Sequence, residues 1–316
     1  MPQPACSIII RAHNEERHLG RLLEGIAQQT VKDVEIILVD SGSTDGTLAV
    51  AARYPVQVVH IAPEEFTFGR SLNLGIQAAS AELLVFASAH VYPVYPDWLE
   101  KLLAPFADPQ IALVYGKQRG GPSSKYSERQ IFASWYPDDA QQYQESPFCN
   151  NANAAVRRDL AIEHPYNETL PGLEDLDWAT RMMNAGYKIH YAPEAEIIHV
   201  HNETPRAVFN RYKREAIAFK HIYIHERFGF LDFVRLSARN IVRDMQNAAH
   251  DGELLRSFGS IIWFRLCQFW GTYQGYRYSG PLTWQLRQRF YYPNGIQQGN
   301  QPIERPVKPI DYHAIQ

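Results

Sequence analysis

The 316 residues, 45% of them hydrophobic, suffice for a full core and allow one large α/β domain with an appendage, or two domains. A formal charge of −3 with mixed signs argues against a partner held by neutralising nucleic-acid phosphates. Cys6, Cys149 and Cys267 are far apart and odd in number, so neither a disulfide framework nor a C-x-x-C metal site is expected, and a reducing, cytoplasmic setting is.

The chain opens with six residues that run straight into a strand-like stretch, 7–10, leaving no room for a signal core. Asn14-Glu-Glu16 reads as a helix cap with acids in the first turn, followed by Leu19, Leu22, Leu23 and Ile26 on one face. Residues 34–39 form a second strand, ending in a turn-rich loop at 40–46 and a helix over 47–53. A third strand over 56–61 and a helix over 69–79 come next, and then the wholly apolar 83–86, as expected of a strand buried on both faces. Asp97 is placed to cap a helix carrying Leu99, Leu102, Leu103 and Phe106, and 111–115 is another strand. A looser stretch holds Gly120-Gly-Pro122 and Asn150-Asn-Ala-Asn153. Glu174-Asp-Leu-Asp177 then opens a helix closed by Gly186, and two short strands, 188–191 and 196–200, follow.

From Pro205 the chain is strand-poor and rich in Arg, Phe, Tyr and Trp, which sets a domain boundary near 204. No window reaches the roughly 18–20 apolar residues of a membrane span; 258–270 is broken by Arg265 and Gln268 and reads as an amphipathic or core helix. Residues from Tyr292 onward look loosely ordered.

Alternation of strands and helices predicts an α/β fold with a mostly parallel sheet, whose ligands bind outside the carboxyl ends of the strands. Those ends carry Arg11, His13, Asn14 and Glu15, then the 40–46 loop, then Ser88-Ala-His90. Neither a Gly-x-Gly-x-x-Gly turn nor a Walker loop follows the first strand, which argues against a dinucleotide site and a sugar nucleotidyltransferase.

Ser7-Ile-Ile-Ile-Arg-Ala-His-Asn-Glu-Glu16, Val39-Asp-Ser-Gly-Ser-Thr-Asp-Gly-Thr47 and Glu174-Asp-Leu-Asp177, in that order, resemble family 2 glycosyltransferases. Phe68-Gly-Arg-Ser-Leu-Asn-Leu-Gly75 and Tyr115-Gly-Lys-Gln118 resemble the branch with bacterial rhamnosyltransferases. The resemblance covers roughly residues 5–202. It implies a GT-A-type catalytic domain over 1–204, a helical C-terminal region over 205–316, and inverting transfer of a hexose or deoxyhexose. The donor would be a nucleoside diphosphate sugar and the acceptor a saccharide or lipid-linked hydroxyl, in surface-polysaccharide assembly.

By that resemblance Asp40 and Ser41 lie in the donor pocket with Arg11, Asn14, Glu15, Arg70, Ser88 and His90. The alternative for Asp40 is an Asx-turn, and Asp45 is read as a helix cap. The family's Asp-x-Asp metal motif is replaced by Ser88-Ala-His90. Either His90 holds a divalent metal, Mn²⁺ more readily than Mg²⁺, with His201 or His199 from one strand face, or no metal binds and Arg70 neutralises the diphosphate. Loss of the carboxylates also leaves open a non-catalytic nucleotide-sugar scaffold. Asp175 corresponds to the base that takes the acceptor proton, with Glu174 orienting hydroxyls; acids at a helix start also favour the dipole without catalysis. Asn151 and Asn153 suit sugar hydroxyls and Trp135 a pyranose face, or they satisfy loop backbone and fill the core. Arg206, Arg211, Lys213, Arg214 and Lys220 with Phe209, Tyr212 and Phe219 suggest either peripheral contact with the inner face of a membrane or an ordinary packed helix.

Overall fold

The computed structural model describes residues 3–201, 203–277 and 307–312. Its layering follows from three consecutive isoleucines in β1 (Cys6–Ala12): side chains alternate along a strand, so Ile8 and Ile10 enter one core and Ile9 the other. On the first side lie α1 (Leu19–Ala27), α2 (Thr47–Ala51) and, further along, α4 (Trp98–Leu103). The second side receives α3 (Phe68–Ala78) and α7 (Glu174–Asn184), bringing Leu72, Ile76, Trp178 and Met182. Truncating Ile9, which is fully buried, would cost about 2–5 kcal/mol, the usual range for a core isoleucine.

The sheet joins β1 to β2 (Val34–Asp40), β3 (Val56–His60), β4 (Leu83–Ser88), β5 (Val91–Pro93), β6 (Ile111–Gly120), β7 (Asn153–Arg157) and β8 (Lys188–His199) in the order β3-β2-β1-β4-β7-β6-β8-β5. The first four in that order are parallel. Beyond β4 the pairing is mixed, because β7 runs antiparallel to both β4 and β6, β8 is parallel to β6, and β5 is antiparallel to β8. The parallel half matches expectation; the other half contains two strands, β5 and β7, that the pattern did not disclose. The expected pair 188–191 and 196–200 is one strand whose register with β6 shifts between Gly116 and Gln118. Gly116 is required there, since a Cβ would come within 2.0 Å of the Ala195 carbonyl.

Two helices hide in the stretch read as loose, α5 (Tyr126–Trp135) and α6 (Arg158–Glu163). Nor does Asn14 begin a helix. It adopts φ 56° in the loop, and α1 starts five residues later without acids in its first turn. Asp97 occupies the position before α4, but its side chain makes no capping bond.

The C-terminal region consists of α8 (Pro205–Ile222), α9 (Phe230–His250) and α10 (Leu254–Tyr276). Thr204 caps α8 by accepting from the Ala207 amide, and Pro205 occupies the first turn, where its missing N–H costs nothing. Gly271 and Gly275 let α10 lie against the α8 backbone; a Cβ at either would come within 2.4 Å or 2.6 Å of Phe209 or Lys213 carbonyl oxygens. Tyr212 and Phe219 are buried, and Arg211 is tied into ion pairs, so of the two readings of the α8 pattern the ordinary packed helix accounts for these residues. Stretch 258–270 lies within α10 as a packed helix, and no helix among the described residues is long and apolar enough to cross a membrane. Of the tail from Tyr292, only 307–312 falls within the described residues. There the Ile310 amide donates to the Val94 carbonyl and Tyr312 packs on Tyr92.

Candidate functional site

Parallel pairing brings the carboxyl ends of β1, β2 and β4 side by side, with Ala12 opposite Asp40 and Arg11 opposite Ser88. Asp40 is buried, and its carboxylate accepts the Gly42 amide at 3.2 Å and the Ser43 amide at 3.3 Å; Gly42, at φ 81°, makes the turn possible. The Asx-turn expected as the alternative reading is thus present, and it holds the carboxylate at the strand end. The Ser41 hydroxyl donates to the Ala12 carbonyl at 3.1 Å, which ties the loop to β1. Asn14 does the same from the other loop, its Oδ1 accepting the Thr44 amide at 2.8 Å. Asp45 accepts the Thr47 amide at 3.0 Å, at the start of α2.

Across the cleft, Arg11 Nη1 donates to Glu174 Oε1 at 2.9 Å, and the guanidinium lies over the Phe68 ring, 5.2 Å from its centre. Glu174 is buried at the start of α7, next to Leu173, which takes the left-handed φ of 56°. A bulky residue adopts that conformation only when its surroundings impose it, and such positions gather at functional sites. Asp175 is part-buried, accepting the Leu176 amide at 2.8 Å and the Asn151 amide at 3.2 Å. Burial, and then the negative charge of Glu174, push its carboxyl up to about 7.

His90, His199 and His201 converge next to Ser88, and one ring nitrogen of each lies within 4.8 Å of the others. His90 Nδ1 is 2.7 Å from Glu15 Oε1, His199 Nδ1 is 2.7 Å from Gln118 Oε1, and His201 Nδ1 is 2.7 Å from Glu128 Oε1. Gln118 gives its amide nitrogen to Asn150, so its oxygen faces His199 and places the proton on His199 Nδ1. His199 Nε2 is then a buried lone pair with no protein partner. Burial above all, with neighbouring positive groups, holds His199 and His201 well below the ordinary imidazole range, so both are neutral donors at physiological pH. Imidazoles that bind a metal commonly give their second nitrogen to such an acceptor, and this set fits a divalent cation by that criterion.

Several expected residues lie elsewhere. Asn153 is fully buried, accepting from Trp98 Nε1 at 2.8 Å and donating to the Ala195 and Lys117 carbonyls, so a sugar hydroxyl would have to displace the core; this corrects its assignment to the acceptor site. Trp135 packs against Phe148 where the sheet core meets the C-terminal helices, which replaces a stacking role with a structural one. Arg70 is shared by Glu65 at 3.5 Å and Glu168 at 3.6 Å, which offset the charge expected to face a diphosphate. Asn151 remains in the cleft, with a buried amide nitrogen lacking a protein partner.

Gln118 and Glu128 were not anticipated at the site, and Arg211 was read only as part of the basic pattern of 206–220. Arg211 reaches from α8 to Glu128 at 2.9 Å and Glu203 at 2.7 Å, linking the extension to the histidines. Glu128 gave no local signal because its helix follows a Gly-Gly-Pro turn; Gln118 stood inside a recognised motif without a function. A separate cavity of 880 Å³ opens at the opposite strand ends, between Gln3, Leu83, Leu103 and Arg158, and includes none of these groups.

The glycosyl transferase family 2 model matches residues 7–164, half of the chain. O-antigen chain rhamnosyltransferase RfbN of Salmonella typhimurium is 30% identical over 219 residues, 65% of this chain and 69% of that protein. WbaN of Salmonella anatum, with the same description, is 29% identical over 66% of this chain and 70% of its own. Among solved structures, the mannosyltransferase PcManGT from Pyrobaculum calidifontis, in complex with GDP-Man and Mn²⁺, gives a TM-score of 0.56 at 20% identity, covering 87% of this chain and 85% of that one. TarS of S. aureus gives 0.53 at 15% identity, covering 86% and 91%. At such identities the likeness is one of fold, a large curled sheet flanked by helices.

Proposed function

The chain belongs to glycosyl transferase family 2, and from that premise we propose that it moves a deoxyhexose or hexose, rhamnose foremost, from a nucleoside diphosphate sugar to a saccharide or lipid-linked hydroxyl. It is a glycosyltransferase with relatives named for O-antigen synthesis, and surface-polysaccharide assembly is the setting we infer. The functional division falls at Thr204, with donor and acceptor chemistry in 1–204 and a supporting region in 205–316. Three free cysteines support a reducing, cytoplasmic location.

Asp175 is the proposed base. The observation that carries the reading is its carboxyl, half-buried in the cleft and poised near neutrality beside a Glu174 that Arg11 anchors. A base works best when its pKa lies close to the working pH, since it is then both ionised and able to accept a proton. Attack from the Asp175 side, opposite the departing nucleotide, inverts the anomeric centre. Glu174, fixed by Arg11, orients the hydroxyls, and Asn151 offers them its spare amide nitrogen. Asp40 retains lone pairs for a base N–H, and the amides of its loop border the same pocket.

Nε2 atoms of His90, His199 and His201 would hold a divalent cation, whose chemistry there is to neutralise charge on the leaving diphosphate. A nitrogen donor set favours Mn²⁺ over Mg²⁺, and Mn²⁺ accompanies GDP-Man in PcManGT. The same triad supplies what the absent Asp-x-Asp carboxylates would have, which supports an enzyme over a scaffold. Incubating the protein with dTDP-, UDP- and GDP-sugars, an acceptor panel and either Mn²⁺ or Mg²⁺ tests the reading. Transfer from one donor, faster with Mn²⁺, is expected; binding without hydrolysis or transfer across the whole panel would overturn it.

A further inference from the structure

Helix α10 buries Ile261, Phe264, Phe269 and Tyr276 and still leaves large apolar side chains outside. Its polar residues Arg265, Gln268 and Thr272 are buried, with Arg265 Nε and Nη2 donating to Asp244 of α9 at 2.7 Å and 3.0 Å. That two-pronged pair fixes how α10 rolls against α9. The apolar residues left on the outside, Phe258, Leu266 and Trp270, recur at four-residue multiples and so share one face. Leu231, Val234 and Val242 are exposed on α9, Leu231 at 82%. Phe233 of α9 and Trp270 of α10 meet at 5.2 Å, which joins the two stripes. Eight of the twelve large apolar side chains exposed among the described residues lie on this helix pair, an unusual concentration for one surface.

Charge identifies the occupant. Arg235, Arg239 and Arg243 repeat every four residues beside the α9 stripe, and Arg256 adds a fourth cation on α10. From Leu231 to Arg243 α9 sets three arginines against one acid, Asp232, and α10 carries no acid along its whole length. An apolar stripe bordered by arginines matches the boundary of an anionic bilayer, where acyl chains take the apolar side chains and headgroup phosphates the guanidinium groups of Arg239 and Arg256. A second copy of the chain fits less well. Across a two-fold contact the arginines of this face would meet Asp232 as the one carboxylate of the α9 segment 231–243, which leaves cations facing cations.

We propose that the outer face of α9 and α10 docks the protein on an anionic lipid surface. The opposite side of α10 packs on α8, whose Arg211 reaches Glu128 and His201, so docking would leave the catalytic cleft on the protein side of the extension. This goes beyond the transferase reading and stands independently of donor and acceptor.

Flotation of the full chain with phosphatidylcholine vesicles, with and without about one third phosphatidylglycerol, tests it. Binding to the anionic vesicles alone is expected, weakening as salt rises. Arg239→Gln should weaken it about fivefold, in line with about 1 kcal/mol per surface cation, and Leu231→Ser with Phe258→Ser about tenfold or more. Each altered side chain is exposed, and unchanged thermal unfolding together with unchanged Mn²⁺ affinity would confirm an intact fold. Absence of vesicle binding would overturn the proposal, as would binding that ignores both charge and these substitutions. A concentration-dependent dimer that Leu231→Ser dissolves, without vesicle binding, would overturn it in favour of a second copy.

Discussion

On one wall of the cleft, Asp40 is held by amides two and three residues further along its own loop, while on the other His90 rests on Glu15, His199 on Gln118 and His201 on Glu128, partners 73 to 81 residues away. Asp175 belongs with the second wall, since the Asn151 amide that it accepts comes from a distant segment. The first wall is a turn that forms by itself once the strand ends; the second exists only after β6, β8 and α5 have assembled. Damage to the first should therefore stay local, whereas damage to the second should propagate to metal and base.

Asp175→Asn breaks the comparison hardest. It should lower kcat by about 10²–10⁴-fold, the usual contribution of a general base, while Mn²⁺ and nucleotide binding by calorimetry are retained. The unaltered protein should show kcat/KM rising with pH and levelling above about 7, as the base ionises. The sign for stability is opposite. A carboxyl raised in the fold above its ordinary 3.8 binds its proton more tightly than the unfolded chain does, so stability falls as pH climbs from about 4 to 7. Asp175→Asn should abolish both effects, and a pH profile unchanged by the substitution would remove Asp175 as the base.

His199→Ala ranks next. With a buried ligand gone, Mn²⁺-dependent transfer and the Mn²⁺ thermal shift should both be lost, while nucleoside binding through Asp40 persists. Glu128→Gln leaves every metal-facing nitrogen in place and should weaken Mn²⁺ by about 10–100-fold, the ordinary effect of losing an acceptor behind a ligand. Equal Mn²⁺ affinity in this variant would show that the two walls do not differ as described. Asp40→Asn, on the self-sufficient wall, should weaken nucleotide binding about tenfold, the lower range for a charged hydrogen bond, without changing Mn²⁺ affinity.

Legibility in the sequence divides along the same line. Strands β1 and β2 were readable because β-branched runs end in polar turns, β4 because a wholly apolar run does, and α7 because acids open it and Gly186, at φ 93°, closes it. Strand β7 was not, since Asn-Ala-Ala-Val-Arg has little strand character and owes its conformation to pairing with β4 and β6 on either side. Asn153 and Trp135 were misplaced for a chemical reason: the amide and indole that suit a sugar also satisfy a buried carbonyl or fill a core. Stretch 258–270 was read correctly as an amphipathic or core helix, but the direction of its faces depended on Asp244 waiting on α9 to receive Arg265.

Residues near one another in the chain thus carried the family motifs, the parallel half of the sheet and the Asp40 turn, since hydrogen bonds over two or three positions and side-chain periodicity are properties of a short peptide. Tertiary structure alone decided that three histidines would converge with their outer nitrogens occupied, and that α10 would bury Arg265 and Gln268 while leaving Phe258, Leu266 and Trp270 outside. Those outcomes depend on groups that meet only when distant segments pack, and no local pattern records which partner burial will bring.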